Sequence, residues 1–245
     1  MPTISDTYNH HTYRNRIEEN SLYSFDVMVG QTDICVSLDS DFKNNVFDSV
    51  YKYRRYIENY IKERPSFLSS LKPLDFNEFA PPIVKDMLLS SSIVGVGPMA
   101  SVAGAIAQYV GIDCLEYSEN VIVENGGDIY MNILNNSVII GVYAGKSPLS
   151  YKVRLKIRAE NTPLGICTSS GRVGHSLSFG NADAVCVVSK SAILSDAAAT
   201  YLCNLVQNDD DIERVLDIGV TIDGVIGLVI INEDKLGVRG EIELA

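Results

Sequence analysis

From Leu22 to Leu38 apolar and polar positions alternate: Tyr23, Phe25, Val27 and Val29 mark one run, and Ile34, Val36 and Leu38 the next. Period-two alternation interrupted at Gly30-Gln31 predicts two strands joined by a tight connection. At Asp41 the period changes. Phe42, Val46, Val50, Tyr53, Ile57 and Ile61 recur every three or four residues, Lys52, Arg54 and Arg55 cover the other side, and Pro65 ends the pattern. This predicts an amphipathic scaffold helix. A loop with Pro73, Pro81 and Pro82 leads to a second helical region, Ile83 to Leu89, and Pro98 is placed to open a helix running to about Val110.

Beyond Gly111 the chain turns to short β-branched runs separated by turn residues: Val121 to Val123, Ile129 to Ile133, Val138 to Tyr143, Val153 to Ile157, Gly165 to Thr168 and Ala184 to Val188. A helix from Ser195 to about Val206 interrupts them, and a short helix at Ile212 to Leu216 precedes strands at Val225 to Ile231 and Val238 to Leu244. The predicted class is α+β, a helical N-terminal part packed on a mostly antiparallel sheet. One domain is expected over 1–245, with 1–20 a polar N-terminal segment.

Composition narrows the partners. Asp and Glu number 31 against 20 Lys and Arg, so the net charge of -11 repels a phosphate backbone, and no basic stripe offsets it; nucleic acid is not an expected partner. The 5 cysteines are widely spaced without a Cys-x-x-Cys pair, which fits buried, reduced thiols and a cytoplasmic location. The N-terminus has no apolar run of the kind a signal peptide or anchor needs. Leu88 to Ile112 is uncharged and long enough to span a bilayer, but its serines, Pro98 and many Gly and Ala favour a buried small-residue helix, so no membrane partner is expected.

Candidate chemistry concentrates between Thr168 and Asp183, where hydroxyls, glycines, one histidine and an acid crowd together. Thr168-Ser169-Ser170-Gly171 ends a strand and offers amides and hydroxyls to an anion. The other two histidines, His10 and His11, lie in the polar N-terminal segment, so His175 is the candidate proton carrier, with a structural histidine as the alternative. Glu124-Asn125-Gly126-Gly127-Asp128 sits between two strand runs; it reads as a hairpin turn, or as a turn with room for a ligand and Asp128 as a handle for a ribose or amide. Asp196 and Thr200 are four residues apart on an Ala-rich helix, so both oxygens share a face. Either the pair is structural or it holds a hard cation such as Mg²⁺. Gly95-x-Gly97-x-x-Ala100 fits a dinucleotide fingerprint, with tight packing at a helix start as the alternative. Asp209-Asp210-Asp211 reads as a helix N-terminus rather than a metal site.

Taken in register, Gly97 to Ala107, Glu124 to Asp128, Ser169 to Asp183 and Ala192 to Thr200 resemble the ApbE-like superfamily, which includes the FAD:protein FMN transferases, and more closely a compact branch without a signal sequence. The resemblance runs from Gly30-Gln31-Thr32-Asp33 over nearly the whole chain. It implies an ApbE-like fold, FAD or FMN as a phosphorylated small-molecule ligand, and Mg²⁺ held by Asp196 and Thr200 in the place of the transferases' Asp-x-x-x-Thr element. It further implies a ligand wall from Met99, Ala100, Ser101, Gly126, Gly127, Asp128, Ser169, Ser170, Gly171 and Asp183, with His175 in the place of the family's histidine. Two departures stand out. The transferases continue past that histidine into Ile-Ile-Asp-Pro-x-Thr-Gly, where this chain has Ser176-Leu177-Ser178-Phe179-Gly180, and their Ala-Lys-Gly is Ala100-Ser101-Val102 here. The compact branch is also associated with sulfide assimilation into homocysteine in anaerobes, which gives an alternative role as an accessory protein or enzyme there; the expected protein partner is a second copy in a homo-oligomer or a sulfur-assimilation protein, and NAD binding at Gly95 to Ala100 is the second alternative.

Overall fold

The computed structural model describes residues 22–172 and 179–245; the polar N-terminal segment and His175 lie outside them. The first alternating run folds as strands β1 (Tyr23–Val29) and β2 (Thr32–Leu38), with Val29 opposite Thr32 across Gly30-Gln31. Strands β3 (Val121–Asn125), β4 (Asp128–Asn132), β7 (Leu164–Ser169), β8 (Ala184–Ser189), β9 (Val225–Asn232) and β10 (Lys235–Gly240) complete an eight-stranded antiparallel sheet in the order β1-β2-β3-β4-β7-β8-β9-β10. The chain between β4 and β7 forms a separate hairpin, β5 (Ser137–Gly141) and β6 (Arg154–Arg158).

The sheet is covered on both faces, which explains why its central strands read as unbroken apolar runs rather than alternations. Ile122, Met131, Ile166 and Cys186 pack on one side with the β5–β6 hairpin. Val123, Tyr130 and Cys167, then Val185 and Val187, face the helices on the other. The five cysteines form no disulfide, and Cys114, Cys167, Cys186 and Cys203 are buried.

The predicted scaffold helix is α1 (Lys43–Glu63), which buries Val46, Val50, Tyr53, Ile57 and Tyr60. A short turn of helix, α2 (Ser66–Ser69), precedes α3 (Pro82–Val94), a 3-10 turn (Pro98–Ser101) and α4 (Val102–Cys114). The apolar segment from Leu88 onward is therefore broken. The two helical pieces bend by 104°, and no single helix among the described residues is long and apolar enough to cross a membrane. The break also corrects the dinucleotide reading. Gly95 follows helix α3, where the fingerprint needs a strand, and ends that helix in the left-handed conformation at φ 81°. Ile93 and Val94 are the last turn of α3, an apolar pair too short to tell helix from strand by pattern. Gly97 is small for a local reason: a Cβ there would lie 1.8 Å from the Ser70 carbonyl oxygen.

Helix α5 (Ala192–Leu205) starts three residues before the predicted Ser195, because Ser191 is its N-cap and accepts the Leu194 amide. Helix α6 (Asp211–Thr221) follows, with Asp211 accepting the amides of Gln207 and Asn208 just before it. The predicted last strand begins earlier, at Lys235, and its tail keeps only an isolated bridge between Leu244 and Leu155.

Helices α4 and α5 are seated against one another and on β7 through small residues. A Cβ on Gly104 would lie 2.3 Å from the Ala192 oxygen, and one on Gly165 would lie 2.2 Å from the Ala192 Cα. The Cys167 thiol donates to the same Ala192 oxygen at 3.2 Å, and Ser195 donates to the Gly165 oxygen at 3.1 Å. Gln108 on α4 accepts the Ala192 amide at 2.7 Å and the Ser191 hydroxyl at 3.1 Å, closing the start of α5. Gly165→Ala, which forces a methyl into backbone, is expected to lower the unfolding free energy by about 1–3 kcal/mol in urea titrations, although alanine is otherwise the better strand residue.

Candidate functional site

The site starts at the β3–β4 turn. Asn125 pairs with Asp128 across Gly126 and Gly127, whose φ values of 66° and 105° are those of a two-residue hairpin that only glycine occupies without strain. Glu124 accepts the Gly127 amide at 2.7 Å, and the Asn125 side chain donates to the Ala103 carbonyl at 3.1 Å, tying the turn to the first turn of α4. Asp128 lies on the same sheet face as Tyr130, toward the helices. It is buried, and its carboxylate accepts the Thr168 amide at 3.3 Å.

Asp196 approaches from α5. Its Oδ2 accepts the Gly104 amide at 2.9 Å, and the Ala103 amide also donates to it, so this carboxylate satisfies the free amides at the start of α4. One turn along α5, Thr200 Oγ1 lies 3.2 Å from the Ser169 hydroxyl and 3.5 Å from the Ala100 carbonyl oxygen. Ser101 is buried, with its hydroxyl on the Pro98 oxygen at 2.8 Å, while Met99 and Ala100 are half-buried beside it. Ala100, Asp128, Ser169, Asp196 and Thr200 thus gather around the starts of α4 and α5 and the ends of β4 and β7.

Three other candidate residues are engaged at the base of the following loop. Ser170 accepts the Arg172 amide at 3.1 Å, and the Gly171 amide donates to the Ala182 oxygen at 3.0 Å. Gly171 has no room for a side chain, since a Cβ would lie 1.9 Å from the Gly180 oxygen. Asp183 takes the Glu233 amide at 2.6 Å and pairs with Arg172 at 3.4 Å, so its carboxylate is turned to the β9–β10 connection. His175 lies outside the described residues.

Burial dominates the electrostatics. It pushes Asp196 up to about 7 against the lowering pull of the Gly104 and Ala103 amides. Asp128 is raised well above the carboxylate range, first by burial and then by the Asp196 charge, with Glu124 adding to it. Burial and these two acids, with a hydrogen bond to Asp128, also raise the Cys167 thiol, which disfavours its thiolate. Among the described residues neither Asp128 nor Asp196 forms an ion pair with Lys or Arg, and no three His, Cys, Asp or Glu side chains converge as a metal cage. Asn125, Gly104 and Gln108, which hold the arrangement together, carry no local sequence signal of that role; only the length of the chain between partners explains why.

A family model described as AbpE bacteria matches residues 14–231. A UPF0280 protein of Methanococcus aeolicus is 40% identical over 222 residues, covering 88% of this chain and 89% of that protein. A UPF0280 protein of Methanocaldococcus jannaschii is 40% identical over 222 residues, covering 88% and 90%. Among solved structures, the Thermotoga maritima ApbE protein superposes with a TM-score of 0.60 at 12% identity, over 90% of this chain and 97% of that one. The Vibrio cholerae flavin transferase ApbE does so at 0.58 and 13%, over 89% and 96%. At these identities the superpositions show a shared fold.

Two acids whose folded pKa values exceed their unfolded ones keep their protons longer in the native state. The contribution of Asp196 is complete below about pH 4 and fades as pH rises through 7. In EDTA, Asp196 alone is expected to lower the unfolding free energy by on the order of 3 kcal/mol between pH 5 and 8, so Asp196→Asn should make the slope of stability against pH shallower in urea titrations across the range, with Asp128 keeping its share.

Proposed function

Since the chain belongs to the AbpE bacteria family and shares its fold with solved ApbE flavin transferases, we propose that it binds FAD with Mg²⁺ and cleaves the ligand's phosphoanhydride, passing FMN to an acceptor hydroxyl or to water. The observation that carries this reading is the convergence of the Ala100 carbonyl, the Thr200 and Ser169 hydroxyls and the neighbouring Asp196 carboxylate. All are oxygen donors. The Cys167 thiol is engaged by the Ala192 carbonyl and by Asp128. An all-oxygen set with few protein ligands suits Mg²⁺, which fills its remaining positions with water and phosphate oxygens.

Asp196 and Thr200 would hold the ion, with the Ala100 carbonyl beside them. When bound it offsets charge on the pyrophosphate. The chain's own residues do the rest. The Gly126-Gly127 turn leaves open space at Gly126, where an added Cβ meets nothing within 4 Å, and so admits a ligand close to the backbone. His175, matched to the family's histidine by sequence alone, would take the proton from the acceptor hydroxyl as its oxygen attacks the FMN phosphorus and AMP leaves. No observation among the described residues favours the sulfide-assimilation or NAD alternatives.

Purified protein incubated with FAD and Mg²⁺ is expected to release AMP, measured by chromatography, and Asp196→Ala to reduce that release at least about 100-fold, the scale of losing one charge-stabilising group. Absence of AMP and FMN, together with unchanged FAD affinity in Asp196→Ala, would overturn the reading.

A further inference from the structure

Resting on the cation site just described, we propose that Asp128 is a second carboxylate ligand of that cation, rather than a hydrogen-bond acceptor for a ribose or amide of the ligand. Both acids are anchored to the same turn of α4. Asp196 takes the Gly104 amide, and the hairpin that ends in Asp128 is tied through Asn125 to the Ala103 carbonyl. Both are at least nine-tenths buried, at 9% and 7% exposure, and ionised Asp196 disfavours a second charge on Asp128.

Two adjacent buried carboxylates need a positive charge or a shared proton. Among the described residues neither has a Lys or Arg partner. A neutral ribose or amide would supply one hydrogen bond and leave the repulsion in place. A divalent cation removes it. Within the fold Asp128 takes the long Thr168 amide contact at 3.3 Å and the thiol of Cys167, a weak donor. Thr200 and Ala100 would add neutral oxygens, so that with the ion bound the site would carry two formal negative charges for one doubly charged ion.

The test uses Mn²⁺ in place of Mg²⁺, titrated into the full-length protein with FAD present and followed by electron paramagnetic resonance. One ion is expected per chain, bound at least tenfold more weakly by Asp128→Asn and with intermediate affinity by Asp128→Glu. Thermal melts in EDTA at pH 8 should show Asp128→Asn no less stable than the parent, because it removes a like charge while keeping an acceptor for Thr168; a purely structural role would show the reverse. Mn²⁺ affinity within twofold of the parent in Asp128→Asn, with binding lost in Asp196→Asn, would overturn this inference and leave the cation site standing. Equal binding by the parent, Asp196→Asn and Thr200→Ala would remove the cation site and this inference with it.

Discussion

The arrangement depends on one buried carboxylate at the start of a helix. Asp196 is withdrawn from water, which disfavours its charge, and is set on the amides of Ala103 and Gly104, which favour it. The contact exists because Gly104 has no side chain: a Cβ there would sit 2.9 Å from the Asp196 Cβ. Through it α5 is pressed on α4, Thr200 is brought to Ala100 and Ser169, and the β3–β4 turn meets α4 at Ala103. The same residue that closes a helix is the one proposed to hold a cation.

Much of the architecture is legible in the chain. Doubly covered strands show as apolar runs, the α1 stripe has an unmistakable helical period, and Gly-Gly between two such runs marks a hairpin. What misleads is local ambiguity. Ser191 and Ser195 both have the chemistry of an N-cap, and Ser191 takes the role because Gln108 completes it from another helix. Gly95 and Gly97 match a phosphate-binding spacing, yet one ends a helix and the other makes room for Ser70.

The candidate site is legible in part for the same reason. Asp196 and Thr200 announce themselves by their spacing on one helix face. The adjacency of Asp128 and Asp196, and the tie from Asn125 to Ala103, are products of topology that no window of sequence contains. The polar density between Ser170 and Asp183 divides on inspection: Ser169 turns to Thr200, while Ser170, Gly171 and Asp183 bond within the loop base and to Glu233.

The mutual closure of α4 and α5 bears on how the protein comes into being. Asp196 completes α4 from 92 residues downstream, and Gln108 completes α5 from 84 residues upstream. Each helix start takes a partner from the other helix, and the strands β3, β4, β7 and β8 lie between them in the chain. Such distant dependence makes folding slow and all-or-none. On the ribosome, a nascent chain ending short of Asp196 lacks the residue that closes its central helix, so the proposed site and the stable fold arrive together, late in synthesis.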